Sequence, residues 1–284
     1  MKIAICTHSP GFGVMPNELA QSVETRGLDA LLFADHTHIP ATPNTTAILG
    51  SFPKDGAVPP YAYVLDPFVA MTAAAAATTT LRVGTGVCLI PERDPIVTAK
   101  AIASIDLLSN GRVLFGIGAG WIPEEMANHG TDPARRWAVM NERIEAMRQI
   151  WTRDEAEFHG THVAFDPIQS WPKPVQKPYP PILVGGEGTR VFDRVLAYGD
   201  EWMPEGRAPV DDLGRRITEL QRRAADAGRT PIPVNVFSPP ARRDHLERLR
   251  EIGVHRVFLQ VPWQERSEIE RFLDEAAALS AALT

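Results

Sequence analysis

Short apolar runs alternate with amphipathic ones along most of the chain. KIAIC (2–6) is strand-like, and NELAQSVETRG (17–27) carries the helical period, with Asn17 as its N-cap and Gly27 as its stop. ALLFA (30–34) is a second strand, followed by a long loop to about Leu65. Asp66 then caps a helix whose first residue is Pro67. LRVGTGVCL, RVLFGIG, ILVGG, DEWMP, IPVNVF and RVFLQV supply the remaining strands, each followed by a helical run. The pattern breaks once: EFHGTHVAFDP predicts a hairpin and WPKPVQKPYPP an extended proline-rich segment, after which the alternation resumes. Eight strands alternating with eight helices predict a parallel α/β sheet closed as a (β/α)8 TIM barrel. The chain reads as one domain over 1–284, with an insertion at 157–181 before the fifth strand.

Composition narrows the function classes. A net charge of −6 over 284 residues argues against a nucleic-acid or anionic-membrane surface. The only two cysteines, Cys6 and Cys88, fall within predicted strands, as small buried hydrophobes do. No signal-peptide pattern or membrane-length apolar stretch is present, so a cytoplasmic location is the expectation.

In a barrel the chemistry belongs at the C-terminal ends of the strands. The second strand ends at Asp35-His36-Thr37-His38, and the first at Thr7-His8. A His-x-His pair suits a metal, but no histidine follows at strand ends four to eight, and no carboxylate is placed to complete an open metal site. No metal is therefore assigned. GIGAGW (116–121) sets glycines at alternating positions through the fourth strand end, as expected where something flat approaches the backbone or where strands pack densely. GGEGT (185–189) opens a helix with exposed N–H groups, a phosphate-binding arrangement or a plain tight turn.

Taken together, GLDALLFADHTHIP, LRVGTGVCLIPERDPIVTAKAIASIDLLSNGRVLFGIGAGW, RIEAMRQIW and PVQKPYPPILVGGEG…VLAYGDEWMP resemble the luciferase-like monooxygenase superfamily, nearest its branch that uses the deazaflavin coenzyme F420. The resemblance implies a non-proline cis peptide at Gly86–Val87 behind the cofactor ring, Asp35 and His36 beside that ring, and backbone contacts from Gly118, Ala119 and Gly120, with Trp121 alongside. It further implies that Gly185, Gly186, Glu187, Gly188 and Thr189 meet the cofactor phosphate. The implied activity is hydride transfer between F420 and a small unsaturated or carbonyl-type substrate. His36 is the first candidate for the accompanying proton, with His38 and His8 as alternatives. Trp121 stands where sugar-phosphate dehydrogenases of this kind carry an acid, which implies a more apolar substrate. Arg190, Arg207 and Lys54 are candidates for the cofactor's anionic tail. The loop at 37–65 and the insertion are expected to shape the substrate pocket, and a homodimer is expected by analogy. The alternatives are an FMN-dependent monooxygenase using reduced flavin and O2, a non-catalytic flavin-binding barrel, and a metallohydrolase.

Overall fold

In the computed structural model, residues 1–8, 14–41, 60–262 and 265–283 are described. Eight parallel strand positions make the barrel: β1 (Lys2–Thr7), β2 (Ala30–Phe33), β3 (Arg82–Thr85) with its continuation β4 (Cys88–Leu89), β5 (Val113–Gly118), β8 (Ile182–Gly185), β9 (Glu201–Met203), β10 (Asn235–Phe237) and β11 (Arg256–Gln260). β11 pairs with β1, and bridges Trp202–Val234 and Glu205–Phe237 join β9 to β10. The strands are buried on both faces, as a helix-covered parallel sheet requires.

The covering helices are α1 (Pro16–Thr25), α2 (Pro67–Ala76), α3 (Pro95–Leu108), the short α4 (Pro123–Asn128), α5 (Arg136–Thr152), α6 (Val191–Tyr198), α7 (Val210–Asp226), α8 (Arg243–Glu251) and α9 (Arg266–Leu283). α2 starts as expected: Asp66 accepts from the N–H groups of Phe68 and Val69 at 2.9 and 3.1 Å. α3 repeats the device, with Asp94 accepting from the Val97 N–H. α1 differs from expectation. Its N-cap is Met15, and Asn17 lies inside the first turn, because Pro16 needs no N–H partner and takes the opening position.

One apolar core lies between barrel and helices; a smaller one fills the barrel with Ala4, Cys6, Ala30, Leu32, Leu114, Leu183, Met203 and Phe258. The end opposite the active face is closed by polar groups. Buried Arg256 donates to Asp29 at 2.6 Å and to Asn235 at 2.9 Å, and lies 3.5 Å from Glu201. Glu201 thus works at the barrel floor, away from the mouth.

The insertion contains the predicted hairpin, β6 (Ala156–His159) against β7 (Ala164–Ile168), antiparallel. Glu142 of α5 accepts three N–H groups from its turn, Thr161, His162 and Val163. The proline-rich segment is tied near the C-terminal ends of α3 and α5, through Gln176 to Asp106 and Lys173 to the Ile150 carbonyl. Those helix ends lie at the floor of the barrel, so this segment does not reach the mouth where a substrate pocket was expected.

Candidate active site

The second strand delivers Asp35, His36, Thr37 and His38 to the mouth, and each finds different partners. Asp35 is buried and fully engaged: Oδ2 accepts from the Leu89 N–H at 2.9 Å and Arg93 Nε at 2.7 Å, and Oδ1 accepts from Arg93 Nη2 at 2.6 Å. Arg93 also reaches Asp66 at 2.9 Å and lies over the Phe68 ring. Burial works against the Arg93 cation, but the Asp35 carboxylate more than offsets it, holding its pKa above the ordinary value. Asp35 therefore clamps the end of β2 to β4 and the start of α2.

His36 is buried and pairs through Nδ1 with Glu125 Oε2 at 2.8 Å. The other Glu125 oxygen accepts the Thr37 N–H at 3.1 Å. Glu125 is wholly buried on α4 and so fixes the His36 ring from below. Trp121, 43% exposed, meets the His36 ring edge to face with centroids 5.9 Å apart. His38 has both ring nitrogens engaged, Nδ1 with Thr37 Oγ1 at 2.9 Å and Nε2 with Asn128 Nδ2 at 2.8 Å. Thr37 Oγ1 also contacts His129 Nε2 at 2.6 Å, and the two imidazoles of His38 and His129 stand 5.5 Å apart. Burial, then the neighbouring His38, lowers the His129 pKa. Among the described residues, no group of three or more His, Cys, Asp and Glu is arranged to hold a metal ion.

His8 follows β1, the strand next to β2, and lies edge-on to Phe237 with centroids 6.4 Å apart. Burial, then the nearby His36, pulls its pKa down to about 4, so it is neutral at pH 7. Inside the barrel, Leu32 and Met203 pack with the partly buried Val87 and Phe237 as an apolar floor. The Gly86–Val87 peptide is cis.

The glycines divide into two kinds. A Cβ at Gly84 or Gly116 would lie 2.1 Å from the Leu114 or Thr85 carbonyl oxygen, and one at Gly118 would lie 2.6 Å from Val87 Cγ2. Those positions are small because β3, β4 and β5 press together. A Cβ at Gly185 would meet the Ile117 carbonyl at 3.0 Å. Gly186, with φ of +106°, faces open space, and Gly188 has only Arg194 Nη2 at 4.0 Å. The cradle is thus open at Gly186 to Thr189, ahead of α6. Ala119 is buried behind it, and Gly120 packs on Glu92. Arg216 holds the Glu187 carbonyl at 2.8 Å, while burial raises the Glu187 carboxyl pKa. Arg190 and Arg207 are exposed at this side, Arg207 beside Glu205; Lys54 lies outside the described residues. A separate cavity of about 620 Å³ is lined by Gly206, Arg207, Ser238, His245 and Arg248 among others.

Residues 17–280 match the luciferase-like monooxygenase family. The chain belongs to that family. An uncharacterised protein from Mycobacterium tuberculosis is 37% identical over 274 residues, 94% of each chain. The fold is similar to that of the monooxygenase RslO1 from Streptomyces bottropensis, with a TM-score of 0.81 at 19% identity over 99% of both chains. It is also similar to an F420-dependent secondary alcohol dehydrogenase in complex with an F420-acetone adduct, with a TM-score of 0.76 at 19% identity over 100% of this chain and 99% of that one.

Within this luciferase-like barrel the structure gathers His8, His36 and His38 at one mouth and sets Gly185–Thr189 at the end of β8, three strand positions round from β2. Sequence reasoning missed Glu125, Arg93 as its neighbour's clamp, and His129. The stretch 122–128 looks like loop because six residues are too few to display helical period. Its one signal was Pro123 at the helix start, with Ile122 and Met126 four apart around it, both buried. No helix among the described residues is long and apolar enough to cross a membrane.

Proposed function

We propose that this luciferase-like protein is an F420-dependent oxidoreductase, moving a hydride between the deazaflavin and a small unsaturated or carbonyl-type organic substrate. The observation that carries the proposal is a single mouth with three parts: an apolar floor, a carboxylate-held imidazole, and an open glycine segment. A planar ring suits the floor of Val87, Met203 and Phe237, and an anionic arm suits the N–H groups at 187–189, the Gly186 N–H being donated to the Met203 carbonyl. The residues present therefore fit the group. When bound, the deazaflavin supplies the hydride chemistry.

This chain's own residues then supply position and a proton. His36, with Nδ1 fixed on Glu125, has one defined orientation and is the proposed proton donor. His38 is given a loop-holding role, because Thr37 and Asn128 take both of its nitrogens. His8, neutral at pH 7, serves as a hydrogen-bonding group on the strand beside that of His36. Trp121 offers a half-exposed aromatic wall beside His36, suited to an apolar substrate. Arg190 and Arg207 are proposed for the cofactor's anionic tail. The exposed Val69 of α2 and Val97, Leu107 and Leu108 of α3 support a homodimer through these helices, which light scattering checks.

The second reading is an FMN-dependent monooxygenase, and the likeness to an FMNH(2)-dependent dimethylsulfone monooxygenase from Pseudomonas putida, 30% identical over 147 residues, favours it. Side-by-side fluorescence titration with F420 and FMN separates the two. Micromolar binding of F420 supports the proposal, and binding of FMN alone overturns it.

A further inference from the structure

Glu125 has a neighbour that the reading above leaves unused. Glu92 lies in the 3-10 turn after β4, only 6% exposed, and neither of its oxygens meets a hydrogen-bond donor. The turn that carries it packs against α4, which carries Glu125, and the Glu125 charge acts on its carboxyl. On the other side it is walled by Gly120, where a Cβ would stand 3.1 Å from Oε1.

Among the described residues, no donor reaches either Glu92 oxygen. Arg93 gives its N–H groups to Asp35 and Asp66. Arg143 of α5 gives Nη1 to the Ile90 carbonyl, and Thr131 gives its hydroxyl to the Pro91 carbonyl. Glu125 already accepts from His36 Nδ1 and the Thr37 N–H, and each of its oxygens keeps a lone pair. Two carboxyl groups this close and this buried do not both ionise. The one without a donor must then carry the proton and become the donor.

We infer that Glu92 is a neutral carboxylic acid that donates its O–H to Glu125, and that through this bond it sets how tightly Glu125 holds the proton on His36 Nδ1. Burial, then the charges of Glu125 and Asp35, push the Glu92 pKa up to about 9, in agreement with that geometry. A third hydrogen bond into Glu125 draws charge away from the oxygen facing His36. His36 therefore releases its proton more readily than it would against Glu125 alone. Glu92 is a positioning residue acting through Glu125. The groups facing it are Glu125, Asp35 and Arg93, and those facing His36 are Glu125, His8 and the Trp121 ring. The use of this tuning in turnover rests on His36 being the proton donor; the carboxyl pair itself does not.

Two measurements on the full chain without cofactor test it. Infrared difference spectra should show the C=O stretch of a protonated carboxyl at neutral pH, lost as pH rises through about 9, and absent in Glu92→Gln. Ring-nitrogen NMR shifts should place the His36 titration midpoint about one pH unit higher in Glu92→Leu, which removes the donor. Glu92→Gln, whose amide donates in the same place, should leave that midpoint within about 0.3 of wild type. The inference fails if no such band titrates, if it survives in Glu92→Gln, or if the Leu and Gln variants shift His36 equally. Should Glu92→Leu not fold, the infrared comparison decides. Neither readout involves F420, so failure here leaves the cofactor proposal standing, and a failed F420 titration leaves this pair standing.

Discussion

Replacing Arg93 with methionine should be among the most damaging single changes at the mouth. The Arg93 and Asp35 side chains are 14% and 1% exposed, so the ion pair is shielded from water on both sides. Arg93→Met removes two charge-assisted bonds from Asp35 and leaves its buried carboxylate with the Leu89 N–H alone. Stranding a buried charge costs about 3–5 kcal/mol. That is a large share of a total stability on the order of 5–15 kcal/mol. The Asp66 pair contributes little beside it, because the Asp66 side chain is 42% exposed. Urea unfolding should show the midpoint falling by about 1–2 M, given a slope of about 3 kcal/mol/M. The double variant Asp35→Leu/Arg93→Met should recover much of the loss, since no charge is then stranded. Asp66→Asn, which keeps the cap oxygen, should cost under about 1 kcal/mol. A loss below about 1 kcal/mol for Arg93→Met, or a double variant as weak as the sum of the singles, would refute the clamp.

Other outcomes follow from the same structure. The His8 pKa lies at about 4 in the folded chain against an ordinary 6.5, so protons favour the unfolded chain. The stability contributed by neutral His8 is complete above about pH 6.5 and lost as pH falls towards 4, and a His8→Gln variant should show a shallower loss in denaturation measured across that window. Gly116→Ala should fold poorly, because its Cβ would lie 2.1 Å from the Thr85 carbonyl, whereas Gly186→Ala meets no atom and should cost only about 1–2 kcal/mol for its φ of +106°; thermal denaturation ranks the two. Cys6 and Cys88 are fully buried with thiol pKa values raised by that burial, so a thiol reagent at pH 8 should label neither until the protein is unfolded.

Much of the barrel was legible because its signals are local. Strand-length apolar runs, Asp-Pro helix starts at 66–67 and 94–95, and the proline-rich break each show in a few consecutive residues. The wall at His36 was legible too, from its place at a strand end. What held that wall was not. Asp35 meets Arg93 58 residues away, and His36 meets Glu125 89 residues away, pairings that only the closed barrel creates. The glycines mark a second limit. GIGAGW and GGEGT look alike in sequence, yet Gly116 and Gly118 are small because a neighbouring strand fills the space, while Gly186 stands open. A missing side chain records that space was needed and does not record what fills it.

The most direct test is a crystal structure of the protein grown with F420. The ring should lie on Val87 and Phe237 with His36 at its edge, and the phosphate should meet the N–H groups of residues 187–189. A ring seated elsewhere, or a phosphate in the cavity lined by Gly206, Ser238 and Arg248, would contradict it.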